Sequence, residues 1–138
     1  RAWELLESLG LRHLARLPAS ALPHGDERRV GIARAVAVGP KFLLLDEPAA
    51  SLDLGARAEL ISLLGGYASA PEAPAIVMVT HHVEEIPAGF THALLLAGGT
   101  VAAAGAIDEV ITAEHLSEAF GLALTVTRDG ARFAARAS

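Results

Sequence analysis

The stretch Phe42-Leu43-Leu44-Leu45-Asp46-Glu47-Pro48 decides how this chain is read. Four apolar residues run straight into two adjacent carboxylates, and a proline then ends the extended chain. The run reads as a buried strand with its acids at the carboxyl end. Successive side chains of a strand point to opposite faces, so Asp46 and Glu47 can take separate tasks. One carboxylate can face a divalent metal and the next a water, which is the equipment for cutting a nucleoside triphosphate. An isolated Asp-Glu pair is more often a solvated strand end. The leucine-rich run before it and Pro48 after it favour a site. No G-x-x-x-x-G-K-[ST] loop, the usual cradle for phosphates, occurs anywhere in the sequence.

Working outward, Trp3, Leu5, Leu6 and Leu9 lie at helical spacing with Gly10 as a C-terminal stop. A short helix is expected over 11–17. Pro18 and Pro23 bracket a loop, after which Gly25 and Asp26 open a helix over 27–38, ended by Gly39-Pro40. The strand 42–46 follows, then a helix over 54–64 closed by Gly65-Gly66. Ala75 to Thr80 and Ala93 to Leu96 are further apolar runs. None of the three alternates polar with apolar, which predicts strands covered on both faces and a parallel sheet. Gly98-Gly99 turns the chain into Thr100 to Ala104, an antiparallel hairpin at the sheet's edge. Short helices are predicted at 107–111 and 113–120. Asp129-Gly130 marks a hairpin between 122–128 and 131–135.

The chain has 138 residues, one domain at most. It is 52% hydrophobic and only 20% charged, which places it among globular proteins rather than disordered ones. A net charge of −5 disfavours a nucleic-acid partner, which would need a basic face. The absence of cysteine removes disulfides and thiolate chemistry. No apolar run reaches the ~18 residues of a membrane span. Arg1 opens directly into helical sequence, and the expectation is a piece that begins mid-protein.

Three further groups carry chemistry. His81-His82 follow the apolar run ending at Thr80, so a histidine there emerges at the same sheet edge as Glu47, where catalytic groups of parallel sheets collect. Two histidines alone are more often a surface pair. A metal set of His81, His82, Glu84 and Glu85 is disfavoured because neighbours in sequence rarely converge on one ion. Leu22-Pro23-His24-Gly25-Asp26 precedes a helix whose free N–H groups and dipole favour an anion. Its plain reading is an N-cap by Asp26. Arg28, Arg29 and Arg34 read as a solvated or salt-bridged face. Ser51-Leu52-Asp53 is either a cap for the next helix or a loop that meets a partner.

In this order and spacing the pieces resemble the C-terminal half of an ATP-binding-cassette (ABC) transporter ATPase domain. Leu22–Asp26 and the helix after it look like the family's signature motif, Phe42–Glu47 like Walker B with its glutamate, Ser51-Leu52-Asp53 like the D-loop and His81 like the switch histidine. The resemblance implies an α/β fold: a partial P-loop NTPase-type layered structure with mainly parallel core strands, helices on both faces and C-terminal β-hairpins. Residues 1–39 would end the helical subdomain and carry the signature helix, 40–121 would form the Walker B, D-loop and switch-histidine core, and 122–138 a hairpin appendix. Family members carry Walker A, the Q-loop and an adenine-stacking aromatic upstream, and none of these is present here. The usual signature is Leu-Ser-Gly-Gly-Gln. Here Pro23 replaces the serine, His24 the first glycine and Asp26 the glutamine, which removes a hydroxyl and an N–H and adds a negative charge near a γ-phosphate.

The resemblance implies ATP and Mg²⁺ as ligands, with catalytic roles for Glu47 and His81 and with Asp46 near the metal through a water. Pro23, His24, Gly25 and Asp26 would reach the nucleotide of a second ABC ATPase domain in a head-to-tail dimer, alongside Ser51, Leu52 and Asp53. Such a subunit would power solute transport through a transmembrane permease, on the cytoplasmic face of the cell membrane, with no nucleic acid involved. The degenerate signature resembles branched-chain amino-acid importers, and Thr80 to Pro87 resembles iron-chelate or molybdate importers, so the cargo stays open. The competing reading is a non-catalytic dimerisation or interaction module that lacks the phosphate cradle. A DNA-repair type of ATPase is disfavoured by the acidic charge and the lack of heptads.

Overall fold

The computed structural model describes residues 2–138. The chain falls into two compact units, one ending at His81 and one running from His82 to Ser138.

The first unit begins with α1, Ala2–Ser8. Leu9 and Leu11 are buried behind it, whereas Trp3 is exposed. Gly10 takes a positive φ of 66°. The turn there closes with Leu11 N–H donating to the Leu6 carbonyl at 2.7 Å, the pattern by which a left-handed glycine ends a helix. The helix expected over 11–17 is only a 3₁₀ turn, Arg12–Leu14. Its apolar face stops at Leu14, because Leu17 stays exposed. Helix α2, His24–Ala37, starts three residues earlier than expected. Pro23, rather than Asp26, occupies the capping position, and its carbonyl accepts from Glu27 N–H at 2.9 Å.

Strand β1, Phe42–Asp46, matches the sequence reading. Helix α3, Leu54–Ala68, runs through Gly65-Gly66 instead of ending there. Gly65 is buried on the face that carries Leu60, Ile61 and Leu64, so packing outweighs its low helix propensity. Strand β2, Ala75–Val79, pairs with β1 in parallel, Phe42 opposite Ala75 and Asp46 opposite Val79.

The expectation of helices on both faces is met on one face of this two-stranded sheet. Leu43 and Leu45 pack with Ile32 and Val36 of α2 and Leu60 and Leu64 of α3. On the other face Phe42, Leu44, Val77 and Val79 remain exposed. A covering layer needs chain on that side, and the described residues of this unit supply none there. A second cluster joins Leu9, Leu11 and Leu14 to Ala33, with Leu63 and Tyr67 packed against it.

In the second unit β3, His92–Ala97, and β4, Thr100–Ala106, form an antiparallel hairpin with a bulge at Leu95/Leu96. Gly98 and Gly99 both have positive φ, as the two-residue turn requires. Helices α4, Ile107–Val110, and α5, Ala113–Phe120, follow, the latter capped by the Thr112 hydroxyl. Strands β5, Leu124–Asp129, and β6, Arg132–Ala137, form the terminal hairpin. Phe133 of β6 is buried with Val110, Ile111 and Leu116. The hairpin is further held by Ala135 N–H donating to Glu84 Oε1 at 3.1 Å.

Leu60 is fully buried. Leu60→Ala is expected to lower the stability of the first unit by about 3 kcal/mol, read by urea denaturation. A loss below about 1 kcal/mol would show that the α3 interface closes over the gap.

Candidate functional site

Parallel pairing brings the carboxyl ends of β1 and β2 side by side, and the site forms there. Beyond the last paired rung, Glu47 N–H donates to the Val79 carbonyl at 2.9 Å, so the ladder continues one residue past β1. Glu47 then leaves the strand with φ at 41°, a positive value that a side-chain-bearing residue adopts at a cost of order 1–3 kcal/mol. The turn closes with Ala50 N–H donating to the Glu47 carbonyl at 3.0 Å over buried Pro48 and Ala49. This geometry aims the Glu47 carboxylate at His81, two residues beyond Val79, with Oε1 3.1 Å from His81 Nδ1. Both side chains are about half exposed, 46% for Glu47 and 61% for His81. Such a solvated pair adds little stability, so it orients the groups rather than holding the fold.

Asp46 ends β1 on the open face of the sheet. It lines a groove of about 560 Å³ together with His24, Arg28, Leu44 and Ser51. Among the described residues no three His, Cys, Asp or Glu side chains gather into a metal cage. One exposed carboxylate still suits Mg²⁺, which is typically held by one or two carboxylates and takes its remaining oxygens from water and phosphate. The residues present therefore fit that ion with Asp46 as its protein partner.

The loop after Glu47 is anchored at both ends. Ser51 has a positive φ of 64° and an exposed side chain. Leu52 is buried in the core below β1. Asp53 caps α3, its Oδ1 accepting from Ala56 N–H at 2.8 Å. The candidate loop thus splits into a free serine, an apolar anchor and a cap.

Pro23, His24, Gly25 and Asp26 lie at the start of α2, where no side chain caps the first N–H groups. His24 is almost fully exposed and pairs with Glu27 at 3.0 Å. At Gly25 an added Cβ would lie 2.8 Å from the Ala56 Cβ. The glycine is therefore required by the close approach of α2 to the start of α3. Asp26 turns inward and bonds to Arg29, whose Nη2 also lies 2.9 Å from Glu59 Oε2 on α3. Sequence reasoning placed Arg29 on a solvated or salt-bridged face and did not single out Glu59. The three-residue spacing of Asp26 and Arg29 on one helix was the available signal. Nothing local pointed to Glu59.

Residues 1–50 match the family model described as ABC transporter. An uncharacterised ABC transporter ATP-binding protein of Bacillus subtilis, YlmA, is 42% identical over 120 residues, 87% of this chain and 46% of its own length. The chain belongs to the ABC transporter ATPase family. The molybdenum import ATP-binding protein ModC of Albidiferax ferrireducens is 38% identical over 122 residues, 88% of this chain and 33% of its own length. This ABC chain therefore spans less than half the length of those relatives. Among solved structures, an ABC transporter in an inward-facing conformation superposes with a TM-score of 0.78 at 28% identity. That match covers 98% of this chain and 54% of the other. CbiO1 of Clostridium perfringens, part of the cbiONQ transporter complex, gives 0.71 at 28% identity, covering 85% and 46%. No helix among the described residues is long and apolar enough to cross a membrane.

The Asp53 cap is testable apart from activity. Asp53→Ala is expected to lower stability by about 1 kcal/mol through loss of the Ala56 N–H partner, read by thermal or urea unfolding. An unchanged midpoint would mean that the α3 start is satisfied without it.

Proposed function

We propose that this chain is part of an ATP-hydrolysing subunit that powers solute import through a membrane permease, docked on the cytoplasmic side. The observation that carries this reading is the Glu47–His81 contact at the joined ends of β1 and β2, with Asp46 one residue away.

In this reading Glu47 positions the attacking water and takes up its proton, since its carboxylate is solvent-accessible and already oriented. His81, bonded to Glu47 through Nδ1, presents its other ring nitrogen toward the terminal phosphate and senses whether that phosphate is there. Asp46 is the residue that would hold Mg²⁺, by way of a water. When bound, that ion offsets the charge of the phosphates. A second copy of the domain, arranged head to tail, supplies the start of α2. The N–H groups of His24, Gly25 and Asp26 then face the nucleotide, and the helix dipole favours its negative charge. Ser51 faces the same junction. Closure of the pair on ATP has a physical basis because contacts from both subunits to one nucleotide give the closed state its extra affinity. The names of the relatives, molybdenum and methionine importers among them, support import as the direction.

The test is Glu47→Gln in the full-length protein. Turnover of MgATP is expected to fall roughly 10²–10⁴-fold, the range for loss of a general base. ATP binding and the dimer are expected to persist. Turnover equal to the parent protein would remove Glu47 from the chemistry.

A further inference from the structure

We propose that Arg29 is a positioning residue that lets an acidic side chain stand in the nucleotide-facing loop, by turning Asp26 inward and neutralising it. The inference rests on reading Pro23 to Asp26 as a loop that meets the nucleotide of a second domain.

Asp26 lies in the first turn of α2, and that turn carries two acids, Asp26 and Glu27. An unpaired carboxylate there would compete with an incoming phosphate for the same helix start, since both are drawn by the same N–H groups and dipole. The structure withdraws the two acids differently. Glu27 is bonded to the exposed His24 on the solvent side. Asp26 is carried toward α3, where its side chain is only 13% exposed and is bonded to Arg29, itself 16% exposed. The same Nη2 of Arg29 is also held by Glu59 of α3, at 2.9 Å. Its Nε is buried without a hydrogen-bond partner, so the guanidinium is held through its outer contacts to the two carboxylates.

The placement of Asp26 also depends on the helix packing. Gly25 lets α2 approach Ala56, which brings the start of α3 under the loop, and Glu59 stands one turn further along α3. Removing the Arg29 charge while keeping its apolar stem would free the Asp26 carboxylate to swing toward the helix start. The expected result is electrostatic repulsion of the nucleotide, with the water-positioning groups on β1 and β2 untouched.

The experiment compares Arg29→Met, Asp26→Asn and the double variant in the full-length protein, with MgATP as the probe. Arg29→Met is expected to raise KM roughly tenfold with kcat within about threefold of wild type. Adding Asp26→Asn is expected to return KM to within about twofold. Rescue by removing the partner charge separates this role from a structural one, which would lower kcat through loss of folded protein and leave KM in place. If Arg29→Met does not fold, Arg29→Lys decides, with an expected KM rise of about threefold that Asp26→Asn abolishes. An unchanged KM in the folded Arg29 variant, or equal impairment of the single and double variants, overturns the proposal. A wild-type protein with no MgATP turnover overturns the functional reading and this inference with it, and is told apart by the parent measurement alone.

Discussion

Everything at the site depends on the parallel register of β1 against β2. Five paired positions, Phe42 opposite Ala75 through Asp46 opposite Val79, set both strands ending at the same level. The bond from Glu47 N–H to the Val79 carbonyl extends that register by one residue into the loop. A slip of one residue would reverse which side chains face the core. It would put Leu44 where Leu43 and Leu45 pack on α2 and α3, and it would carry Glu47 away from His81. The apolar packing of one sheet face therefore fixes a polar contact at the sheet's end. The register is stabilised by burial, and the Glu47–His81 pair contributes orientation rather than stability.

The helices repeat the pattern on the other side of the site. Leu52 is drawn into the core, Asp53 caps α3, and Ala56 in the first turn of α3 leaves room only for a glycine at position 25. The loop after Glu47 and the start of α2 are thus positioned by the same short piece of α3. Two of the residues with positive φ that are not glycine, Glu47 and Ser51, bracket this loop. Strain of that kind persists only where neighbours over-determine the backbone, and here buried Pro48, Ala49 and Leu52 do so. The acidic first turn of α2 fits the scheme because its two acids each have a basic partner, His24 for Glu27 and Arg29 for Asp26.

Much of this was legible in the sequence for a physical reason. Strands β1 and β2 are short apolar runs bounded by breakers, and their ends carry the polar residues, so the meeting of Glu47 with His81 followed from parallel pairing alone. The cap at Asp53 followed from local chemistry, and so did the terminal hairpin, although Asp129 stays in β5 opposite Arg132 and the turn falls one residue later, at Gly130-Ala131. What the sequence did not reveal depends on tertiary packing. Gly65-Gly66 read as a helix end, yet burial of Gly65 carries α3 to Ala68. Asp26 read as the cap of α2, yet Pro23 takes that place and Asp26 pairs with Arg29. The unbroken apolar runs read as strands covered on both faces, whereas Leu44 and Val77 remain exposed on one.

The central claim is that the ends of β1 and β2 form the reacting end of a nucleotide site completed by the start of α2 from a second copy. A structure of the full-length protein carrying Glu47→Gln with MgATP bound tests it directly. The account predicts the terminal phosphate within hydrogen-bond reach of His81, the metal beside Asp46, and the Pro23 to Gly25 loop of another copy against the same nucleotide. A nucleotide bound away from the β1 and β2 ends, or bound there with no second copy contributing its α2 start, would contradict it.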